Sequence, residues 1–304
     1  MAPFPPMIAA TLTRFAPAPT GFLHLGHVVN AIYVWGLARR FGARVILRIE
    51  DHDAQRSRPA YEAALLDDLA WLGFEADAHP AVRFDSGHWL CRQRDRQTIY
   101  HVAAERLRAA GLLYGCTCTR QDIAARQHGR GAYPGTCRSR HLPLDGSTTW
   151  RVRLDGGPET FVDLLQGPCT GDAAHLGDPA IRDRHGNWTY TFAVVVDDLE
   201  QGIDLVVRGD DLQAATAAQI RLGRLLGRPR PARFAHHPLL MKSSTQKLSK
   251  ADNDTGIRDM RRAGWNAARV IGHAAARAGL VPAGAVIPAT DVGSLAAALQ
   301  LASD

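Results

Sequence analysis

Two short polar segments near opposite ends of the chain carry side chains suited to binding phosphate groups. In the first, RFAPAPTGFLHLGH, His24 and His27 flank Gly26. In the second, KLSK, Lys247 and Lys250 stand three residues apart. Glycine permits close backbone approach to a phosphate, and imidazole and ammonium groups donate hydrogen bonds to its oxygens. Because such donors stabilise the charge that gathers on phosphorus during nucleotidyl transfer, the two segments predict a triphosphate clamp.

The apolar pattern around these segments is typical of an α/β protein. Apolar spacing, with glycine or proline at the ends, predicts helices at 27–41, 59–72, 94–110 and 211–226. We place Val102 on the inward face of the third helix. Strand-like runs lie at 44–49, 150–154, 159–164, 192–196, 203–207 and 239–241. The first of these runs ends at the acidic segment EDHD, and ligands of open α/β sheets bind at that end of a strand.

A change of composition divides the chain. Between residues 111 and 183, Gly, Pro, Thr and Arg dominate and helical periodicity is lost. We therefore predict a mononucleotide-binding domain split by an insertion, followed by a short helical tail. The predicted units are 1–110 (first half of the catalytic domain), 111–183 (inserted subdomain), 184–254 (second half) and 255–304 (helical C-terminal tail).

The inserted segment contains a cluster of thiols. Three of the five cysteines lie close together there: Cys116, Cys118 and Cys137. In a chain without an export signal, clustered thiols more often bind metal than form disulfides. Structural zinc takes four ligands, so three cysteines fall one short. His128 and His141 are candidates for the fourth ligand on chemical grounds, and Tyr133, four residues before Cys137, is an unusual one.

Several ordered motifs resemble the class I aminoacyl-tRNA synthetases. RFAPAPTGFLHLGH resembles their HIGH region and KLSK resembles their KMSKS loop, although Ala251 stands where a serine often follows. The RFAP start, RIEDHD at 48–53, the pair Asp197-Asp198 and RGDDL at 208–212 are similar to the glutamyl/glutaminyl branch. The resemblance, over roughly residues 13–260, implies a Rossmann-like class I fold and an ATP-dependent ligase that uses ATP and Mg²⁺. The catalytic residues it implies are His24, His27 and Lys250. The ATP-binding residues it implies are His24, Gly26, His27, Lys247 and Lys250.

The branch resemblance implies L-glutamate as the amino-acid substrate, and the chemistry of the matching residues agrees. Arg14 and Arg208 each offer a planar guanidinium for bidentate carboxylate binding. Glu50 suits the ammonium group, and Tyr190 adds a neutral hydroxyl. The rest of the implied glutamate site is Phe15, Ala16, Pro17 and Ala18, the last standing where the family usually has serine. Two arginines suit glutamate better than glutamine. Which arginine binds which carboxylate stays open.

A short subgroup of this family, the glutamyl-Q tRNA(Asp) synthetases, carries a Cys-x-Cys…Tyr-x-x-x-Cys zinc site in its insertion. The resemblance to this subgroup implies one structural Zn²⁺ with Tyr133 as the fourth ligand, and His128 is the fallback. It also implies that glutamate is activated without tRNA and then transferred to the queuosine base at the wobble position of tRNA(Asp). The end of the chain at Asp304, which leaves no length for an anticodon-binding domain, agrees with that expectation.

Two other functional interpretations remain. The chain is alternatively a truncated glutamyl-tRNA synthetase that charges the tRNA 3′ end, or a catalytically silent tRNA-binding module, which the intact HLGH and KLSK segments disfavour. A net charge of +6 suits a polyanionic partner. The sequence has no long apolar run and no recognisable leader, so we expect a cytoplasmic protein that does not associate with a membrane.

Overall fold

A computed structural model describes residues 10–53, 55–77, 91–126, 132–240, 256–299 and 301–302. Its strands are β1 (Leu12–Phe15), β2 (Arg44–Leu47), β3 (Leu113–Cys116), β4 (Thr149–Val152), β5 (Pro158–Asp163), β6 (Gly167–Asp172), β7 (Ala180–Arg182), β8 (Leu205–Gly209) and β9 (Arg233–His237). Its α-helices are α1 (Leu25–Phe41), α2 (Pro59–Leu72), α3 (Gln97–Ala109), α4 (Arg120–Arg126), α5 (Tyr190–Glu200), α6 (Thr216–Leu225), α7 (Ile257–Arg262) and α8 (Ala267–Arg277). Segments of 3₁₀ helix cover Gln93–Arg96, Asp210–Ala215 and Ala289–Ala297.

The larger sheet has the strand order β2-β1-β8-β9-β5-β6. Strands β1, β2, β8 and β9 pair in parallel, so their carboxyl ends meet at one edge. The chain leaves β1 through α1 to reach β2 on one side, whereas β8 pairs with the other side of β1. Such a reversal of strand order opens a crevice at the carboxyl edge, where ligands bind in open α/β sheets.

The segment 111–183 contributes to both sheets. Strands β3, β4 and β7 form a separate antiparallel sheet, which lies entirely within this segment. Strands β5 and β6 come from the same segment but join the larger sheet, where β5 runs parallel to β9. The domain boundaries remain a prediction, and the hydrogen bonding shows that part of the expected insertion completes the main sheet.

Most of the predicted elements are confirmed. The helix at 59–72 has the predicted bounds, because Pro59 begins α2 and Gly73 adopts the left-handed conformation that ends it. The helix predicted at 94–110 is α3 with a preceding turn of 3₁₀ helix, and 211–226 is likewise a 3₁₀ segment followed by α6. The strands predicted at 44–49, 150–154, 159–164 and 203–207 correspond to β2, β4, β5 and β8.

Three local predictions are wrong. Residues 192–196 form part of helix α5 and not a strand, because every side chain in this run is buried and a run that is apolar on all sides has no diagnostic period. The strand expected at 239–241 lies earlier, as β9, and residue 241 is outside the described residues. Val102 is 50% exposed, because the buried stripe of α3 runs through Tyr100, Ala103 and Leu107.

The hydrophobic core holds α1 between the larger sheet and the C-terminal helices. The buried side chains Val28, Ile32 and Trp35 lie on α1, as predicted, and share one core cluster with Val270 of α8 and Val292. The C-terminal segment therefore packs on the helix that begins at the histidine motif. No helix in the described ranges is long and apolar enough to cross a membrane.

Candidate active site

A cavity of about 710 Å³ opens at the carboxyl edge of the larger sheet. Its lining includes all the residues predicted to contact glutamate: Arg14, Phe15, Ala16, Pro17, Ala18, Glu50, Tyr190 and Arg208. It also includes His24, Gly26 and His27 from the first clamp segment. Lys247 and Lys250 lie outside the described residues. The fold thus brings together side chains from β1, α1, β2, α5 and β8, as expected for a site at a reversal of strand order.

The two histidines are held by the first turn of α1. The Nδ1 atom of His24 accepts a hydrogen bond from the Gly26 backbone N–H at 3.1 Å, and Nδ1 of His27 accepts one from the His24 backbone N–H at 3.1 Å. This reciprocal arrangement is a capping box, in which side chains satisfy the backbone donors at the start of a helix. Because each Nδ1 is an acceptor, the proton of each neutral ring is on Nε2.

Gly26 is required by the same geometry. A Cβ atom at this position would lie 2.9 Å from Cε1 of His24, so any larger residue displaces that ring. The rings of His24 and His27 have their centroids 4.0 Å apart, and both line the cavity. The motif therefore places two Nε2–H donors near a helix N-terminus, where phosphate oxygens bind favourably.

The segment that carries the lysines begins and ends beside the cavity. Leu240, the last described residue before it, lines the cavity. After it, Gly256 forms a β-bridge with His24, and the Ile257 backbone N–H donates to the Leu23 carbonyl at 3.1 Å. The chain on both sides of the KLSK segment is therefore fixed next to the histidine motif.

Arg14 is oriented by a buried carboxylate. Its Nε donates to Asp198 at 3.1 Å and its Nη1 donates to the Val207 carbonyl at 3.1 Å. Arg48, which is fully buried, donates to the same Asp198 oxygen at 2.7 Å and to Glu50 at 3.2 Å. Burial acts to raise the pKa of Asp198, but the charges of Arg14 and Arg48 lower it. Through Asp197, which lies 3.8 Å from Arg48 and 2.6 Å from Arg96, the network extends to three guanidinium groups and three carboxylates at the cavity wall.

Glu50 and Arg14 are members of this network that also line the cavity. Burial raises the pKa of Glu50, and the charges of Arg48 and Arg14 offset part of that effect. The pKa of Tyr190 is also raised, first by burial and then by the charge of Glu50. A substrate ammonium group beside Glu50 would restore a favourable partner for its ionised form.

Arg208 differs from Arg14 in having no carboxylate within ion-pair distance among the described residues. It is 5% exposed, and its contacts are neutral: Nε to His236 at 3.0 Å, Nη1 to Gln219 at 2.6 Å, and Nη2 to Thr216 at 2.8 Å and the Leu212 carbonyl at 3.4 Å. Burial lowers the pKa of Arg208.

These contacts use four of the five N–H groups that a guanidinium offers. In this conformation the guanidinium of Arg208 presents no open bidentate edge to the cavity, and binding of a carboxylate by Arg208 stays a prediction. Tyr190 is a further hydrogen-bond partner of Arg208, so what Arg208 brings to the cavity is a fixed positive charge. Because a buried charge without a partner is costly, the cavity favours an anionic group beside Arg208.

The three clustered cysteines form a compact set of donors. Their Sγ atoms lie within 4.8 Å of one another, and those of Cys118 and Cys137 are 3.7 Å apart, near the spacing of about 3.8 Å for two thiolates on one tetrahedral zinc. The Tyr133 hydroxyl lies 3.3 Å from Cys116 Sγ and accepts from the Cys137 backbone N–H at 3.0 Å. Burial acts to raise the pKa of Cys137, but hydrogen bonds, the strongest with the Thr117 backbone, lower it to about 6.

This donor set fits a zinc ion, since three thiols lie within 4.8 Å of one another and the Tyr133 hydroxyl lies 3.3 Å from one of them. Among the described residues, His141 is exposed and does not belong to the group. His128 lies outside the described residues. Tyr133 thus remains the predicted fourth ligand.

The chain matches the family model "tRNA synthetases class I (E and Q), catalytic domain" over residues 10–286. It belongs to this family. Glutamate--tRNA ligase 2 from Methylobacterium sp. (strain 4-46) is 40% identical over 96% of this chain and 65% of its own length. Glutamyl-Q tRNA(Asp) synthetase from Symbiobacterium thermophilum is 41% identical over 88% of this chain and 86% of its own length.

Solved structures agree with the sequence comparisons. A glutamate tRNA ligase from Elizabethkingia meningosepticum, in complex with its amino acid, superposes with a TM-score of 0.74 at 26% identity. The match covers 97% of this chain and 65% of that one. This chain therefore spans about two thirds of the length of these two ligases, and the predicted α/β class I fold is confirmed.

The sequence motifs assign no role to several polar residues that build the site. Arg48 lies in RIEDHD and Asp198 in the Asp197-Asp198 pair, but neither motif indicates what the side chain does, and His236 lies outside the motifs. The usable signal was charge inside apolar runs: Arg48 interrupts VILRI, and Asp198 follows AVVVD. Charges that interrupt such runs become buried with a partner, because an unpaired buried charge is costly.

Proposed function

We propose that this synthetase activates L-glutamate with ATP to form glutamyl-adenylate. An oxygen of the substrate α-carboxylate attacks the α-phosphorus of ATP, the bond from that phosphorus to the bridging oxygen breaks, and pyrophosphate leaves with Mg²⁺. No protein nucleophile is needed. The observation that carries the proposal is Arg208, a buried charge without a carboxylate partner in the described structure, in a cavity that also holds Glu50 and two imidazole donors.

The residues divide into an amino-acid side and a phosphate side. Glu50 accepts the substrate ammonium group, Arg14 and Arg208 attract the two carboxylates, and Tyr190 supplies a hydroxyl. The Nε2–H groups of His24 and His27 donate to phosphate oxygens, whose charge increases in the transition state. We assign Lys247 and Lys250, which lie outside the described residues, to binding of the phosphates, and Lys250 to catalysis together with the histidines. Mg²⁺ bound with ATP would neutralise phosphate charge.

Selectivity for glutamate over glutamine follows from the unpaired charge of Arg208. A carboxylate balances that charge, whereas the neutral amide of glutamine leaves it buried and uncompensated. Leaving one partner of a buried ion pair uncompensated costs about 3–5 kcal/mol. We therefore expect glutamate to be preferred by about 10²-fold or more.

We further propose that the activated glutamate is transferred to the queuosine base at the wobble position of tRNA(Asp). A hydroxyl of that base attacks the adenylate carbonyl carbon, the bond to phosphate oxygen breaks, and AMP leaves. Support comes from the relative in Symbiobacterium thermophilum named glutamyl-Q tRNA(Asp) synthetase, 86% of whose length is matched by this chain. The cluster of three cysteines with Tyr133 also supports the proposal. The proposed partners are ATP, L-glutamate and tRNA(Asp) bearing queuosine.

Charging of the tRNA 3′ end is the second candidate, favoured by the 40% identity to the Methylobacterium ligase. The two functions are separated by the position of the product. Radiolabelled glutamate, ATP and queuosine-containing tRNA(Asp) are incubated with the protein, and the tRNA is cut into an anticodon fragment and a 3′ fragment. Label in the anticodon fragment supports the queuosine target. Label on the 3′ terminal adenosine overturns it in favour of end charging.

We propose that Cys116, Cys118, Tyr133 and Cys137 hold one structural Zn²⁺. The ion would cross-link the end of β3 to the segment that contains Tyr133 and Cys137. Metal analysis of the purified protein is expected to give one zinc per chain, and Cys137→Ser should lose most of it. A Cys169→Ser variant, which alters a thiol outside the cluster, is the matched control and should keep full zinc. Full zinc in Cys137→Ser would remove the proposal.

A further inference from the structure

A buried chain of hydrogen bonds leads from strand β5 to Arg208. The carboxylate of Asp163 lies 2.5 Å from Nδ1 of His236, and Nε2 of His236 lies 3.0 Å from Nε of Arg208. Asp163 and His236 are 0% and 1% exposed. Arg208 and His236 are register partners in the parallel strands β8 and β9, so their side chains lie on the same face of the sheet.

The donors and acceptors in this chain can be assigned from chemistry. A guanidinium N–H can only donate, so Nε2 of His236 must accept the hydrogen bond from Arg208. The proton of a neutral His236 ring is therefore on Nδ1, where it donates to Asp163. Burial and the charge of Arg208 lower the pKa of His236 against the opposing effect of Asp163, which agrees with a neutral ring.

A similar arrangement occurs at metal sites, where a carboxylate accepts a hydrogen bond from one ring nitrogen of a metal-binding histidine. The carboxylate fixes the tautomer of the ring and so determines which nitrogen faces the metal. Asp163 also accepts hydrogen bonds from the backbone N–H groups of Leu165 and His236, at 2.9 and 3.2 Å, so it is itself held in place. The Asp163 carboxylate contacts His236, and the imidazole of His236 lies between this carboxylate and Arg208. Arg208 is thus oriented without a neutralising carboxylate beside it.

We propose that His236 and Asp163 are positioning residues that hold Arg208 in the orientation required to select glutamate over glutamine. The proposal rests on the proposed activation of glutamate. A direct carboxylate contact would quench the charge that recognises the substrate, whereas a neutral acceptor orients the guanidinium and leaves its charge for the ligand. His236 does not line the cavity, so we assign it no direct contact with substrate.

Two variants of His236 separate its two hydrogen bonds. In His236→Gln, the side-chain amide oxygen can occupy the place of Nε2 and still accept from Arg208. In His236→Asn, the shorter amide can donate to Asp163 but cannot reach Arg208. If orientation of Arg208 is the function of His236, the Asn variant should be impaired and the Gln variant largely rescued.

The assay is glutamate-dependent ATP–pyrophosphate exchange by the full chain. We expect His236→Asn to raise the KM for glutamate by about 10-fold or more, as expected for loss of about 1.5–3 kcal/mol from a hydrogen bond to a charged group. The KM for ATP should stay within about 2-fold, and the preference for glutamate over glutamine should fall. His236→Gln should keep the KM for glutamate within about 3-fold of the parent. Equal KM values for glutamate in the parent and His236→Asn overturn the proposal, as do equal losses in the Asn and Gln variants.

A measurement on the parent protein covers the case in which His236→Asn does not fold. In ¹⁵N NMR, with the His236 signals assigned by their loss in His236→Gln, the ring should be neutral with its proton on Nδ1. A proton on Nε2, or a charged ring at pH 7, overturns the proposal. If the parent shows no exchange with glutamate, the proposed function itself fails, and the tautomer result still reports on the hydrogen-bond chain.

Discussion

Replacing Arg208 by glutamine removes the charge that selects the substrate and leaves the rest of the cavity in place. Glutamine can retain contacts with the polar groups around position 208, such as Thr216 and His236, but it cannot balance a substrate carboxylate. Breaking a buried ion pair by removing one partner costs about 3–5 kcal/mol. Because Arg14 and Tyr190 remain, we expect the lower part of this range, which corresponds to a loss of about 10²–10³-fold in kcat/KM for glutamate.

The thermal stability of the unliganded protein should not fall with the activity. Arg208 is buried without a carboxylate partner in the described structure, so its removal relieves a desolvation cost in the unliganded state. The thermal midpoint of Arg208→Gln is therefore expected to equal or exceed that of the parent. A loss of activity without a loss of stability would assign the effect to binding and not to misfolding.

The assay is ATP–pyrophosphate exchange with glutamate and with glutamine, in the absence of tRNA. The matched control is Arg224→Gln on α6, because Arg224 pairs with Glu159 at 3.0 Å away from the cavity. The control should keep kcat/KM for glutamate within about 2-fold, because the pair lies outside the cavity and Glu159 keeps Arg221 as a partner. If Arg208→Gln also stays within about 3-fold of the parent, a substrate carboxylate does not depend on Arg208 and the reasoning fails.

Three further predictions concern the phosphate side and the stability of the fold. His27→Ala should lower kcat for pyrophosphate exchange by about 10²–10³-fold, as for other lost transition-state donors, and activity equal to the parent would exclude the role. Gly26→Ala should displace the ring of His24 and lower kcat comparably, because its Cβ would lie 2.9 Å from that ring; an unchanged kcat would contradict the cap geometry. Asp68 on α2 has its pKa raised to about 6, first by burial and then by Asp67. The folded state therefore binds the Asp68 proton more tightly than the unfolded state, and the stability this provides is lost as pH rises from about 4 to about 6. Asp68→Asn should increase the free energy of unfolding at pH 7 by about 1 kcal/mol after allowance for solvent screening, with the gain vanishing below pH 4; denaturant titrations at the two pH values test this.

The parts of the site that lie in one contiguous segment could be predicted from the sequence. The motif placed His24 and His27 near the start of a helix, and the structure agrees, although α1 begins at Leu25, two residues before the predicted start. The bounds of α2 followed from Pro59 and Gly73, which act within one turn. Residues 15–18, which line the cavity beside Arg14, were likewise predicted, because they follow Arg14 directly in the sequence.

The parts that depend on strand pairing could not be predicted. Arg208 and His236 stand 28 positions apart, and their contact exists only because β8 and β9 pair in this register. Arg14 pairs with Asp198, whereas Arg208 contacts neutral groups. The sequence does not predict this difference, because it depends on which side chains the folded chain brings together. The helical state of 192–196 was missed because burial on all sides removes the period that separates helix from strand.

The central claim is that the cavity at the carboxyl edge of the larger sheet activates glutamate. It is tested most directly by ATP–pyrophosphate exchange with purified protein, Mg²⁺ and each of the twenty amino acids, without tRNA. We predict exchange with glutamate, and a kcat/KM for glutamine lower by about 10²-fold or more. No exchange with glutamate at saturating ATP, or equal exchange with glutamine, would contradict it.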